Sequence, residues 1–126
     1  MPNTSARPAG GHLAPVSVHH LQLDELADGL IARLPGHRRQ TETLARESGV
    51  SVVLMAMEAG DALDEHAAKG AVTIHLLRGH ASLAAEGSDR ELRPGDLVML
   101  QPGVRHDILA VEQSVVLLTL TGGETA

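Results

Sequence analysis

The sequence predicts an all-β sandwich or barrel with one short amphipathic helix ahead of it. Beyond Thr41, short apolar runs are separated by turn residues about every 8–12 positions, which is typical of antiparallel sandwiches and barrels. Before that point, apolar residues recur at steps of three and four, the spacing of a helix with one buried face. A chain of 126 residues, 43% of them hydrophobic, is long enough for one core and too short for two ordinary domains.

The helix is predicted over residues 21–34. Its apolar stripe consists of Leu23, Leu26, Leu30 and Leu34. Asp24 and Glu25 lie in its first turn, where acidic side chains interact favourably with the helix dipole. Pro35 and Gly36 follow the last leucine and predict the end of the helix.

Eight apolar segments predict the strands. They are Glu42–Arg46, Val50–Glu58, Val72–Leu77, Ala81–Ala85, Arg90–Leu92, Asp96–Leu100, His106–Val111 and Ser114–Thr121. Two stretches within them, Val50–Met57 and Val115–Leu118, are apolar on both faces, so we expect both to be covered on both sides. The chain is thus divided into a flexible N-terminal arm, a helix and linker packed on the barrel, and the barrel itself, at residues 1–20, 21–40 and 41–123.

Composition excludes several classes of function. Without Phe, Tyr or Trp the chain cannot stack on bases, and without Cys it has neither disulfides nor thiolate metal sites. A net charge of −6 argues against nucleic-acid partners, and the one basic cluster, Arg38–Arg39 with Arg46, is interpreted as a solvated face. No apolar stretch approaches the roughly 20 residues of a membrane helix, and no secretory signal is recognisable. We therefore expect a cytoplasmic protein with no nucleic-acid or membrane partner.

Two segments carry glycine and histidine at distinctive spacings. The first contains Gly60, His66 and Gly79, and the second contains Gly95, Gly103 and His106. In this order they resemble the two motifs of the cupin superfamily, with Pro102 one place after the proline of the second motif. The resemblance covers about residues 50–121 and implies a small antiparallel jelly-roll barrel that forms a homodimer. A homodimer is also expected because an edge strand gains from pairing.

The resemblance implies that His66 and His106 hold a ligand or a metal. Ala68, Val72 and Ala110 occupy the positions of the family's second histidine, its glutamate and its final asparagine. A complete cupin site has three imidazoles and one carboxylate, whereas the matched positions here keep two imidazoles. The implied cofactor is therefore one divalent transition metal (Fe, Mn, Ni, Cu or Zn) that is weakly bound or absent.

His75 is the third candidate ligand. Strict alternation from Val72 puts His75 on the face opposite the barrel interior, while a bulge between residues 68 and 74 would turn it inward. Asp64 and Glu65 would supply a carboxylate if the turn before them curled inward.

Three functions follow from these residues. The first is a barrel that binds a small molecule, with His66 and His106 as its polar anchors. The second is a metal-dependent cupin enzyme of the dioxygenase or isomerase type, and the third is a structural domain whose barrel is filled by side chains. The apolar residues at the ligand positions favour binding over the enzyme, and the sequence leaves open whether any reaction is catalysed.

Overall fold

The computed structural model describes residues 16–122, with the side chains of Glu65 and His66 outside the description. Within that range the chain forms one helix and nine strands. The helix α1 is Leu23–Ala32, and the strands are β1 Arg39–Glu47, β2 Val50–Met57, β3 Ala62–His66, β4 Val72–Arg78, β5 Ala81–Ala85, β6 Ser88–Leu92, β7 Leu97–Leu100, β8 His106–Ala110 and β9 Ser114–Leu120. The predicted all-β class with a short N-terminal helix is confirmed.

The strands form two antiparallel sheets. One has the order β1-β2-β9-β4-β7 and the other has the order β3-β8-β5-β6. Alternate residues of both sheets point inward and form one aliphatic core, which includes Met55, Ile74, Leu83, Ile108 and Val116. The two sheets thus enclose the barrel interior, as in a jelly roll, with β1 and β3 at the sheet edges on one side and β7 and β6 at the edges on the other.

The helix covers the outer face of the larger sheet. Leu30 and Leu34 are fully buried and pack with Leu54, Ala56 and Val115 from β2 and β9. Both strands are therefore covered on both sides, as their two apolar faces predicted. The helix is shorter than the predicted 21–34. It begins at Leu23, after Gln22, whose side chain makes no capping hydrogen bond, and its last residue is Ala32.

The strand β3 was not predicted. Its five residues include Asp64, Glu65 and His66, so the segment lacks the apolar alternation of a strand and its sequence is typical of a turn. It forms because β8 offers it an antiparallel partner, with Ala62 opposite Leu109 and Leu63 opposite Ile108. This added strand brings the first motif histidine to the smaller sheet.

The chain before the helix contacts the end of β1. The backbone N–H of Val16 donates to Glu47 Oε2 at 3.2 Å, and His19 Nε2 lies 2.9 Å from the same oxygen. Residues 1–15 of the predicted N-terminal arm lie outside the described residues. Within residues 16–122, no helix has the length and hydropathy needed to cross a membrane.

Candidate functional site

His106 is buried inside the barrel. It is the first residue of β8, where His106, Ile108 and Ala110 face the core, and it is 3% exposed. Its Nδ1 atom lies 3.0 Å from the carbonyl oxygen of Val104. Because a carbonyl oxygen only accepts, Nδ1 carries the proton. In a neutral ring, Nε2 is then the nitrogen that can accept a hydrogen bond or bind a metal.

A bulge in β3 brings the backbone of His66 opposite His106. The register advances three residues along β3, from Leu63 to His66, and two along β8, from Ile108 to His106. One residue of β3 is therefore extra, which is the definition of a β-bulge. Regular pairing from Leu63 would have set Glu65 opposite His106 instead. Directly paired residues have Cα atoms about 4.5–5.5 Å apart, so the two predicted histidines are neighbours at the level of the backbone.

A cavity of about 510 Å³ lies between the sheets beside this bulge. Its walls are apolar, formed by Val53, Met55, Leu63, Ala67 and Leu118. Its polar lining residues are Arg39, Thr41 and Asp64. Leu63 and Ala67 stand on either side of the bulged residues, so the cavity adjoins the point where β3 meets His106.

The Arg39 side chain lines the cavity and is fixed by Asp61. Its Nε donates to Asp61 Oδ2 at 2.8 Å, and its Nη2 donates to Asp61 Oδ1 and to the carbonyl of Ala62, both at 3.0 Å. The hydrogen bond to Asp61 raises the pKa of Arg39 above its ordinary value despite the opposing effect of burial, so the guanidinium stays charged. The sequence did not reveal this role, because the carboxylate that draws Arg39 inward lies far along the chain; the available signal was Asp61, an acidic residue at a turn between apolar segments.

Comparison with known families identifies the fold. A sequence profile of the AraC-like ligand binding domain matches residues 48–119, which is more than half of the chain. The protein belongs to this family. No curated protein matches the sequence.

Solved structures of cupins share the fold of this ligand-binding domain, as the motifs implied. A cupin superfamily protein from Desulfitobacterium hafniense superposes with a TM-score of 0.65 at 21% identity, covering 73% of this chain and 87% of that one. An RmlC-like cupin from Shewanella frigidimarina has a TM-score of 0.65 at 17% identity, with 70% and 79% covered. A variant of salicylate 1,2-dioxygenase from Pseudoaminobacter salicylatoxidans has a TM-score of 0.72 at 12% identity, but the match covers 82% of this chain and 34% of that enzyme. At these identities the likeness shows the fold alone.

The motif positions that hold a metal in other cupins are apolar in this cupin. Val72 and Ala110 belong to the buried core, and Ala68 packs against it. Their side chains offer no donor atom to a metal ion. Among the side chains that the structure describes, no three of His, Asp or Glu lie close enough to hold a metal ion together. The set of three imidazoles and one carboxylate therefore does not fit these residues.

His75 lies on the outer face of the larger sheet in this cupin. The neighbouring Ile74 is fully buried in the core, and adjacent strand residues point to opposite faces. The cross-strand partners of His75 are Leu97 on β7 and Leu117 on β9. The only register shift of β4 comes later, between Leu76 and Arg78, so it does not turn His75 inward. The structure thus does not bring this candidate to His106.

Proposed function

We propose that this cupin binds a small molecule between its two sheets, with His66 and His106 as polar anchors. The observation that carries the proposal is the apolar cavity of about 510 Å³ beside the β3 bulge. Its volume is in the range of ordinary ligand sites, which are lined by mostly apolar side chains and a few polar groups. The family match supports the same conclusion, because the matching profile is that of a ligand-binding domain.

The cavity also argues against a purely structural barrel. A barrel filled by its own side chains is packed as densely as an organic crystal and leaves few voids larger than a water molecule. Here the inner side chains of Val53, Met55 and Leu118 border open space instead.

The metal part of the proposal involves the same two histidines. Two imidazoles are fewer ligands than a transition-metal site normally has, so we propose that a divalent metal is held weakly or not at all. Since the residues at the other motif positions do not fit a complete site, no catalytic step is derived through a metal. Elemental analysis of untagged protein tests this, and one equivalent of Fe, Mn, Ni, Cu or Zn would instead favour the dioxygenase or isomerase type of enzyme.

Ligand binding can be tested with a neutral fluorescent dye, N-phenyl-1-naphthylamine. Because the chain contains no Phe, Tyr or Trp, the wild-type protein contributes no fluorescence of its own, and the dye is excited at wavelengths where the tryptophan of the variants does not absorb. We expect saturable binding of one dye per chain and its loss in Ala67→Trp, which places a large ring at the cavity wall. The matched control is Ala32→Trp, at an exposed position of the helix, which should bind dye as the wild type does. Absence of saturable binding, or equal binding by Ala67→Trp, would contradict the proposal.

We also propose a cytoplasmic homodimer with no nucleic-acid or membrane partner. The edge strand β7 exposes Leu97 and Met99, which are 61% and 63% accessible, and exposed apolar edges are typical pairing surfaces. Light scattering after size exclusion measures the mass directly. A dimer that Met99→Lys converts to monomer supports the proposal, and a monomeric wild type contradicts it.

A further inference from the structure

The two sheets of residues 16–122 end in four edge strands, β1, β7, β3 and β6, which differ in charge. The charged residues of β1, β3 and β6 include Arg39, Glu42, Arg46, Glu47, Asp64, Asp89, Arg90 and Glu91. Bulges also interrupt β1 and β3. Charges and bulges are devices by which proteins keep edge strands from pairing. The strand β7 has neither, since its four residues are all apolar and its register with β4 is regular.

The free edge of β7 presents the backbone groups of Leu97 and Met99. Successive residues of an antiparallel strand direct their N–H and C=O groups alternately to one side and the other. The N–H of Leu76 donates to the carbonyl of Asp96 at 3.0 Å, and pairing with β4 continues in regular register along β7. Asp96 and Val98 therefore face β4, and no described strand lies on the other side. Two N–H and two C=O groups are left for a partner.

The side chains of β7 are apolar on both faces. On the outer face, Leu97 and Met99 are mostly exposed. On the inner face, Val98 is half-buried and lines a cleft of about 310 Å³ between β7 and β6. The charged residues of this cleft, Glu86 and Arg90, belong to the β5–β6 hairpin across from β7. A strand placed against β7 would thus meet apolar side chains on both faces.

We propose that β7 pairs with β7 of a second copy of this chain, antiparallel and with Val98 opposite Val98. The inference rests on the proposed homodimer and assigns the geometry of its interface. In this register Leu97 of each copy lies opposite Met99 of the other, so all four free backbone groups of each strand are bonded. Registers centred on Leu97 or Met99 would pair only one of these two residues within β7. Since opposite side chains share a face, the exposed leucine and methionine cover each other.

Charge and size both bear on this association. Two chains with a net charge of −6 repel each other, so contact is favoured where charged residues are absent. In the proposed register Asp96 lies opposite Leu100, so no like charges meet directly. A strand of four residues is roughly 13 Å long, and its pairing buries less than the about 1,200–2,000 Å² of a stable interface. We therefore expect a reversible dimer with a dissociation constant in the micromolar range.

Disulfide cross-linking tests the register, because the chain contains no Cys and an introduced thiol is the only one. Val98→Cys should form a linked dimer under mild oxidation, since its Cα atoms would lie about 4.5 Å apart. Met99→Cys alone should not, because its two copies are diagonal neighbours about 7–8 Å apart. A mixture of Leu97→Cys and Met99→Cys should link, since these residues are opposite. Val111→Cys, at an exposed position after β8, is the matched control and should stay unlinked.

Light scattering of the wild type over a range of concentrations separates this inference from the homodimer itself. If the wild type dimerises but neither Val98→Cys nor the mixture links, the β7 pairing is wrong while the homodimer remains. A linked Met99→Cys dimer without a linked Val98→Cys dimer would likewise overturn the register. If Val98→Cys does not fold, the mixture decides, because both of its positions are exposed. A wild type that is monomeric at every concentration would refute the homodimer and the inference together.

Met99→Pro tests the backbone part of the pairing. It removes the N–H that points to the free edge and leaves the hydrogen bonds of Val98 to β4, and edge strands tolerate proline for this reason. Met99→Ala, which removes only the side chain, is the control. We expect the dissociation constant of Met99→Pro to be about tenfold above that of Met99→Ala, as is typical of two lost hydrogen bonds per dimer. Equal constants would show that β7 does not pair through its backbone.

Discussion

The guanidinium of Arg39 holds the carboxylate of Asp61 with two hydrogen bonds, from Nε to Oδ2 at 2.8 Å and from Nη2 to Oδ1 at 3.0 Å. Arg39 lies on β1, the edge of the five-stranded sheet, and Asp61 directly precedes β3, the edge of the four-stranded sheet. The pair thus joins the two sheets on the side where the cavity lies. Asp61 is almost completely buried, whereas a third of the Arg39 side chain is accessible.

This asymmetry predicts that removing Arg39 destabilises the fold more than removing the charge of Asp61. Arg39→Leu leaves a buried carboxylate without its cation, which costs about 3–5 kcal/mol. Asp61→Asn keeps the buried position neutral and leaves a guanidinium that water still reaches. We therefore expect its free energy of unfolding to fall by only about 1–2 kcal/mol. Urea unfolding followed by circular dichroism measures both free energies.

Arg38→Leu is the control for that pair, because Arg38 is exposed. Its free energy of unfolding should stay within about 0.5 kcal/mol of the wild type. The account given for the pair would have to be abandoned if Asp61→Asn proved more damaging than Arg39→Leu.

The metal affinity of the two motif histidines should be weak and should depend on both of them. Titration with Ni²⁺ should show binding that His66→Ala and His106→Ala each abolish, since the loss of either leaves a single imidazole. The double variant should bind no worse than each single variant, because residues that act as one site are not additive. His75→Ala should retain the affinity, because His75 lies on the outer face. A loss in His75→Ala equal to that in His106→Ala would contradict the strand alternation.

Restoring the apolar motif positions should create a stronger metal site. Ala68→His combined with Val72→Glu would supply the missing imidazole and carboxylate, and Ni²⁺ affinity should rise by orders of magnitude. Without metal this variant should be less stable than the wild type, because Val72 is buried and an unpaired carboxylate there is costly. Calorimetric titration and thermal unfolding with and without Ni²⁺ measure the two effects. Ala68→His with Thr73→Glu, which puts the carboxylate on the other face, is the control and should gain little.

Leu30 should be the most sensitive position of the helix. It is fully buried between α1 and the outer face of β2 and β9, so Leu30→Ala removes several methyl groups from a packed interface. Such truncations cost about 2–5 kcal/mol. Leu23→Ala, at a half-buried position of the same helix, should cost less. If thermal unfolding showed equal losses of stability for Leu30→Ala and Leu23→Ala, the helix would not pack through the Leu30 face.

Local sequence patterns predicted most of the fold. All eight predicted strands correspond to observed ones. A strand with one buried face alternates apolar and polar residues, and glycines mark the turns at its ends, so both signals are local. The strand β3 was missed because its pairing with β8 is a tertiary effect that its own acidic residues do not signal. Arg39 was assigned to a solvated face for a related reason, since its partner Asp61 directly precedes that same strand and is distant in sequence.

The motifs in the sequence predicted which residues belong to the candidate site, but not how the strands that carry them are paired. The two motif histidines are adjacent in the backbone, in line with what the family resemblance implied, but the bulge that makes them adjacent lies in the unpredicted strand. The residues at the bulge do not signal it, because Asp64 and Glu65 lack the apolar alternation from which a pairing register can be predicted. For His75 the sequence left two placements open, and the structure has the one given by simple alternation, since the register of β4 stays regular up to that residue.

The bulge in β3 also bears on how this barrel can diversify during evolution. With the bulge kept, insertion of one codon ahead of Asp64 would move Glu65 to the place opposite His106 and displace His66 from it. A change in chain length would then exchange a nitrogen donor for an oxygen donor without any substitution. Variation in the length of this short strand is therefore a route by which related barrels could acquire different ligands, independent of changes at the motif positions themselves.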